Sequence, residues 1–414
     1  MPVAPFQFQG SIDASKSLLN RWLVVASFAE KPLEIRGEAA CEDVEKMRAA
    51  LTALSRGNRE LDVGEAGAVL RFLAFRVSRE KGEFLLTGKP RLFERPQAPL
   101  VDLLSQLGVQ AETLPGALRI RSQGWKRPAG PLRADRRQSS QFISGLLLSS
   151  WLLDFPLVLQ SDGVPVSESY WKMSRRVALK AGLKLSGSAA GVEILAWQRV
   201  RLPLIEVEPD YSSVFAVAAL AAVGGEATIE NSRADHFQDP LQPDAGGIDI
   251  LRRMGADVKN WKGSYRAGVG IPERLIVRAP AEGQKLRATD ADLREAPDLF
   301  PVLAATAALA EGDSLLHGAP HLRHKESDRI AEVERLFRIC GIECEGRDDG
   351  MKVRGTGGRV ALPESKDFDP AGDHRMVMAA AVLRQAGYPL RILNTRACHK
   401  SFPAFPKIAG LEGT

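Results

Sequence analysis

The chain has 414 residues, 44% apolar and 26% charged, a balance that excludes disordered, collagen-like and disulfide-stapled classes. Its net charge of +5 favours anionic ligands, but no Lys/Arg block or interleaved aromatic stripe marks a nucleic-acid surface, so no nucleic-acid partner is expected. No apolar run is long enough to span a bilayer, and MPVAPFQFQGSIDASKS lacks the basic-then-apolar layout of a signal peptide; no membrane partner and a cytoplasmic location are expected.

A chain this long exceeds one ordinary core, so two domains without a long linker are the expectation. Cys41, Cys340, Cys344 and Cys398 have no secretory context, which predicts reduced thiols. Cys340 and Cys344 are spaced as zinc ligands can be, but no second pair completes a site. Packing at a helix end and in a strand is the reading, with no metal and no cofactor.

Six buried helices are predicted from long apolar or Ala-rich runs, each opening at a short polar cluster. In chain order they are ASKS before LLNRWLVVASF, GEAG before AVLRFLAFRV, QSSQ before FISGLLLSS, PDYSS before VFAVAALAAV, APD before LFPVLAATAALA, and GDHR before MVMAAAVL. A helix apolar over most of its circumference belongs in a core. Its polar start is expected to cap it, and to place N–H groups and the positive dipole end beside side chains of both signs. A second pattern recurs at 100–112, 174–185, 247–258 and 331–345: an amphipathic helix, a glycine, then a strand. It predicts left-handed glycine caps and duplicated βα units. Together the patterns predict two domains of three units, with buried helix N-termini facing one anion-binding cleft.

HLRHKESDRI, at 321–330, crowds His321 and His324 with Arg323, Lys325, Arg329, Glu326 and Asp328. Such interleaved signs ordinarily mean a solvated helix start. Other motifs point elsewhere. SKSLLNR at 15–21, KPRLFERPQAPLVDLLSQLG at 89–108, SSQF at 139–142, PDLFPVLAA at 297–305, KESDR at 325–329, DHRMVMA at 373–379 and KSFPAF at 400–405 resemble the signatures of the 5-enolpyruvylshikimate-3-phosphate synthase family, in its order and spacing.

The resemblance implies an α/β fold of the enolpyruvyl transferase type. Each of its two domains would hold three βαβαββ units with buried helices, and the active site would lie in the interdomain cleft. Residues 15–207 would form the N-terminal domain and 1–14 with 208–414 the C-terminal one. It further implies transfer of the carboxyvinyl group of phosphoenolpyruvate to the 5-hydroxyl of shikimate 3-phosphate, in the shikimate pathway to aromatic amino acids. These small molecules would be the only partners, and a monomer is expected.

That reaction needs a proton delivered to the enolpyruvyl C3 and another taken from the attacking hydroxyl, with cations for a dense anionic load. By resemblance, Glu326 is the acid/base group at C3, with its pKa raised by burial, and Lys400 assists it. Asp298 takes the hydroxyl proton. Arg329 and Arg375 hold the enolpyruvyl carboxylate, and Asp328 orients the helix start. Lys325 reaches the shikimate phosphate. Lys16 and Arg95 grip the enolpyruvyl phosphate, in a pocket lined by Gly67. Ser17 and Arg21 bind the shikimate carboxylate. Ser139, Ser140, Gln141 and Ser167 contact phosphate and ring hydroxyls, and Tyr170 lines the ring. His374 is a structural neighbour.

The family stretch NAGTxxR is here Glu65-Ala66-Gly67-Ala68-Val69-Leu70-Arg71. A carboxylate at 65 would repel phosphate unless it turned away or paired with Arg71 or Lys16. SKPYI becomes Ser167-Glu168-Ser169-Tyr170-Trp171, and His321 stands where the family often has asparagine. Two other readings compete: a related transferase acting on UDP-N-acetylglucosamine, which carries a cysteine in the loop that is Lys89 to Arg95 here, and a non-catalytic or altered-specificity homologue suggested by Glu65, Ala68 and Glu168.

Overall fold

Helices apolar on every side can be stable in water only when other elements surround them, and the fold is built around two such groups of three. A computed structural model describes residues 4–135, 137, 139–162, 167–188, 191–230, 239–260, 274–358 and 364–412. The chain divides into two compact units, Ala14–Val207 and a discontinuous one made of Met1–Asp13 with Glu208–Thr414.

In Ala14–Val207 the helices are α1 (Lys16–Ala26), α2 (Glu42–Ser55), α3 (Gly67–Val77), α4 (Pro90–Glu94), α5 (Ala98–Gln106), α6 (Gln141–Leu148) and α7 (Glu168–Lys180). The predicted buried helices α1, α3 and α6 pack on one another. Gly145 allows the closest approach: a Cβ there would lie 2.7 Å from Phe75 Cδ2 and 3.0 Å from the Arg71 carbonyl oxygen. Glu60–Gly64 pairs in parallel with Lys81–Gly88, which pairs antiparallel with Ala117–Gln123 and so reaches Gln110–Leu114. Leu132–Asp135, Leu157–Asp162, Gly191–Ile194 and Leu185–Ser188 repeat that order and sense. A third parallel pair, Glu34–Arg36 with Leu204–Glu206, completes the described sheets of this unit.

The discontinuous unit has the same plan. Phe6–Gly10 lies parallel to Gly225–Ile229, followed by antiparallel Leu275–Arg278 and Asp257–Lys259. Asp290–Asp292, Asp313–His317, Gly350–Arg354 and Cys344–Arg347 form the second sheet in the same order. Lys366–Phe368 with Leu390–Ile392 is the third parallel pair. Its helices include α8 (Tyr211–Gly224), α9 (Gly246–Met254), α10 (Phe300–Ala307), α11 (Arg329–Cys340) and α12 (His374–Gln385). Tyr211 to Ala222 of α8 are all buried, and α8, α10 and α12 pack on one another. Fully burying a valine, leucine or phenylalanine contributes about 1.5–3 kcal/mol, which holds these polar-tipped helices at the centre.

The four glycine caps form as expected: Gly108, Gly182, Gly255 and Gly341 all have positive φ. Cys340 is buried in the last turn of α11 and Cys344 opens the following strand. Side-chain capping, expected at all six buried helices, is found at three. Ser15 accepts from Leu18 N–H, Asp210 from Ser212 and Ser213, and Asp373 from Arg375. Ala66, before α3, has no side-chain acceptor. Before α6, Ser140 is already helical and Ser139 Oγ takes the Gln141 N–H instead. Before α10 the chain enters through a 3-10 turn, Pro297–Leu299, so no extended cap residue exists.

Candidate active site

In the discontinuous unit the KESDR segment converges on one guanidinium. Asp328 caps α11 by accepting from Ala331 N–H, which puts Arg329 in the first turn with its side chain only 1% exposed. Arg329 Nε donates to Asp373 Oδ2 at 2.9 Å, Nη1 to Asp298 Oδ1 at 2.8 Å and Nη2 to Glu326 Oε2 at 2.8 Å. Nη2 also reaches Asp373 Oδ1 at 3.5 Å, so all three nitrogens of the guanidinium are engaged with three carboxylates from three segments. Lys400 Nζ lies 3.3 Å from Glu326 Oε1. Lys325 Nζ lies 3.4 Å from Asp298 Oδ1, and Arg375 Nη2 lies 3.3 Å from Asp298 Oδ2 and donates to Ser212 Oγ at 3.0 Å. Four cations thus meet three carboxylates.

Burial pushes the Asp298 carboxyl upward, but Lys325, Arg375 and Arg329 together outweigh it and hold the group well below the usual carboxylate range. His321 responds in the opposite way: burial, aided by Lys325, lowers the imidazole to about 3. It is therefore a polar, uncharged group near pH 7. Sequence reasoning missed Asp373 and Ser327 as participants, although both lie inside quoted motifs. Ser327 Oγ donates to Asp373 Oδ2 at 3.1 Å, steadying the carboxylate that both caps α12 and anchors Arg329. His374 is buried beside it at the start of α12.

In Ala14–Val207 the candidate residues lie on or beside α1, α3, α4, α6 and α7. Arg21 is 2% exposed, and its protein partners are all neutral: Ser174 Oγ at 2.8 Å, the Ser17 carbonyl at 2.7 Å and the Tyr170 carbonyl at 3.4 Å. Ser174 donates in turn to Ser144 on α6 at 2.8 Å. Burial lowers the Arg21 guanidinium to about 9, so it is still charged near neutrality. Arg71, 4% exposed, is similar: Nη1 donates to Gln141 Oε1 at 2.6 Å, Nε to Gln97 Oε1 at 3.4 Å and Nη2 to the Pro96 carbonyl at 3.4 Å. Burial, then repulsion from Arg95, holds it well below the usual guanidinium range. Buried charge is costly without a counterion, and these arginines have no carboxylate partner among the described residues.

Gly67 opens α3 with the Arg95 guanidinium against it; a Cβ there would be 3.1 Å from Arg95 Nη1. Arg95 Nε is buried with no hydrogen-bond partner among the described residues. Lys16, in contrast, is engaged with Asp43 Oδ2 at 3.0 Å, a partner no motif announced. Ser167 stands at the start of α7 with φ +53° and ψ +47°, left-handed for a non-glycine residue. Glu168, the first residue of α7, is an acid in the turn where the helix dipole favours one. Glu65 pairs with Lys89. Arg71 donates to Gln141 and Lys16 pairs with Asp43, and the Lys89 partner of Glu65 was not anticipated from sequence.

Two units of repeated βαβαββ plan, one with a buried cluster of carboxylates and cations and the other with buried arginines bonded to neutral groups among the described residues, have the architecture of an enolpyruvyl transferase. Solved structures agree on the fold. The chain aligns with EPSP synthase from Acinetobacter baumannii at a TM-score of 0.74 and 23% identity, covering 99% of this chain and 96% of that one. With the enolpyruvyl transferase NikO from Streptomyces tendae the TM-score is 0.70 at 16% identity, over 100% and 95%. The sequence narrows the class. Residues 56–408 match the model of EPSP synthase (3-phosphoshikimate 1-carboxyvinyltransferase). The 3-phosphoshikimate 1-carboxyvinyltransferase of Syntrophobacter fumaroxidans is 30% identical over 98% of this chain and 96% of that protein. That of Kocuria rhizophila is 32% identical over 97% and 94%. The chain belongs to the EPSP synthase family. It is a transferase of the shikimate pathway that moves the carboxyvinyl group of phosphoenolpyruvate to shikimate 3-phosphate, and a purely binding role is not favoured. No helix among the described residues is long and apolar enough to cross a membrane.

Proposed function

We propose that Asp298 accepts the proton of the substrate 5-hydroxyl while Glu326, with Lys400 beside it, handles the proton at the enolpyruvyl C3. The observation that carries this reading is the single buried guanidinium of Arg329 bonded to both carboxylates, which fixes their separation before substrate arrives. Arg329 and Arg375 take the enolpyruvyl carboxylate, and Lys325 takes the shikimate phosphate. All three cations touch Asp298 in the resting protein. Anionic substrates therefore exchange for protein carboxylate contacts, and Asp298 becomes a stronger base as its cations turn to them.

In Ala14–Val207, Arg21 and Ser17 hold the shikimate carboxylate, supported by the absence of a carboxylate partner on Arg21 among the described residues. Lys16 and Arg95 grip the enolpyruvyl phosphate over Gly67. Ser139, Ser140, Gln141 and Ser167 meet phosphate and ring hydroxyls, with Tyr170 along the ring. The protein is expected to act as a monomer, and sedimentation would check it. Free thiols at Cys41, Cys340, Cys344 and Cys398 suit the cytoplasm.

The test is phosphate release with both substrates, each omitted in turn, in the wild type and in Glu326→Gln. Wild-type release should require both. Glu326→Gln should lower turnover about 10²–10⁴-fold, the usual worth of a positioned acid or base. Calorimetry should show shikimate 3-phosphate binding within about threefold of wild type. Unchanged turnover in the variant removes Glu326 from proton transfer.

A further inference from the structure

Parallel pairing brings together two residues that the sequence keeps apart. Gly64 and Gly88 are register partners at the ends of adjacent strands, and Lys89 N–H donates to the Gly64 carbonyl at 2.9 Å. The approach depends on glycine, since a Cβ on Gly88 would lie 2.4 Å from that carbonyl oxygen. Glu65 and Lys89 therefore leave the sheet side by side, and the Lys89 ammonium is ion-paired to Glu65 Oε1. Two residues after Glu65 comes Gly67, with Arg95 against it and Arg71 nearby in α3. A carboxylate thus stands on the rim of the cationic pocket assigned to the enolpyruvyl phosphate.

We propose that Lys89 is a positioning residue for phosphoenolpyruvate: it holds and neutralises Glu65, so that the pocket of Gly67, Arg71 and Arg95 presents its full positive charge to the phosphate. The inference rests on the assignment of that pocket. Lys89 need not touch the substrate. Its side chain is 70% exposed and that of Glu65 35%, so the effect acts through a partly solvated path and weakens as salt rises. Without Lys89, Glu65 loses the ammonium paired to it beside an incoming phosphate, and the penalty falls on phosphoenolpyruvate binding rather than on proton transfer. Glu65 and Lys89 act as one unit in this account, so losing both should cost less than losing the lysine alone.

Steady-state phosphate release from the full-length protein, with shikimate 3-phosphate saturating and at low ionic strength, tests this in five variants. Lys89→Met should raise KM for phosphoenolpyruvate about fivefold to tenfold, with kcat within about twofold. Lys89→Arg should retain the wild-type KM. Glu65→Asn with Lys89→Met should restore it, Glu65→Asn alone should not raise it, and added salt should shrink the Lys89→Met defect. Arg95→Ala is the reference for the pocket. If Arg95→Ala raises KM and Lys89→Met does not, the role of Lys89 is overturned while the pocket stands. A double variant as impaired as Lys89→Met also overturns it, because the lysine then acts independently of Glu65. If neither Arg95→Ala nor Lys89→Met moves KM, the pocket assignment fails and takes the inference with it.

Discussion

At the residue scale the central object is Arg329, a buried guanidinium that satisfies three carboxylates at once. Removing one member of a buried ion cluster leaves uncompensated charge, which typically costs about 3–5 kcal/mol. Arg329→Met should lose that much in urea denaturation, and a loss below about 1 kcal/mol would mean that the carboxylates find other partners. Asp298 gives a pH signature with a definite sign. Its folded carboxyl is held below the usual range by Lys325, Arg375 and Arg329, against the upward push of burial. Such a group stabilises the fold above its unfolded value of about 4 and loses that contribution as pH falls through its lower folded value. The stability gap between wild type and Asp298→Asn should thus be flat above about pH 5 and shrink below about pH 4. A gap constant down to about pH 3 would show that the cations do not act on Asp298.

At the scale of elements, α3 and α6 carry Arg71 and Gln141 to one place because Gly145 lets their backbones approach. Gly145→Ala must displace Phe75 or the Arg71 backbone. It should cost about 1–3 kcal/mol, as overpacking does, and should raise substrate KM by opening the Arg71–Gln141 contact. An unaltered KM with lowered stability would separate packing from the site. Elements of this kind were legible in the sequence where the information is local. Apolar runs with polar starts marked the buried helices, and glycines after amphipathic runs marked their left-handed ends. KESDR gathered Lys325, Glu326, Asp328 and Arg329 within one turn of chain. What tertiary pairing decides was not legible. Asp43 under Lys16, Ser174 and Ser144 behind Arg21, and Lys89 on Glu65 are joined only once sheets and helices assemble. Capping failed as a general rule for a related reason: Ser140 and Leu299 are already helical when their helices begin, so they cannot adopt the extended cap geometry.

At the scale of the molecule, two units with separate cores should not unfold as one. Trp22, Trp125, Trp151, Trp171 and Trp197 all lie in Ala14–Val207, so tryptophan emission reports chiefly on that unit. Far-ultraviolet circular dichroism reports on both. Their urea transitions should be non-coincident, and superimposable curves would show that the units melt together. The strand Phe6–Gly10 adds a consequence for biosynthesis. Its parallel partner Gly225–Ile229 is translated only after the whole of Ala14–Val207. Because domains generally form as they leave the ribosome, the intervening unit can be complete while Phe6 and Phe8 still await a neighbour. A nascent polypeptide of this design keeps an unclaimed, aromatic strand exposed for most of its synthesis, and that segment is where a ribosome-associated chaperone has the longest time to act.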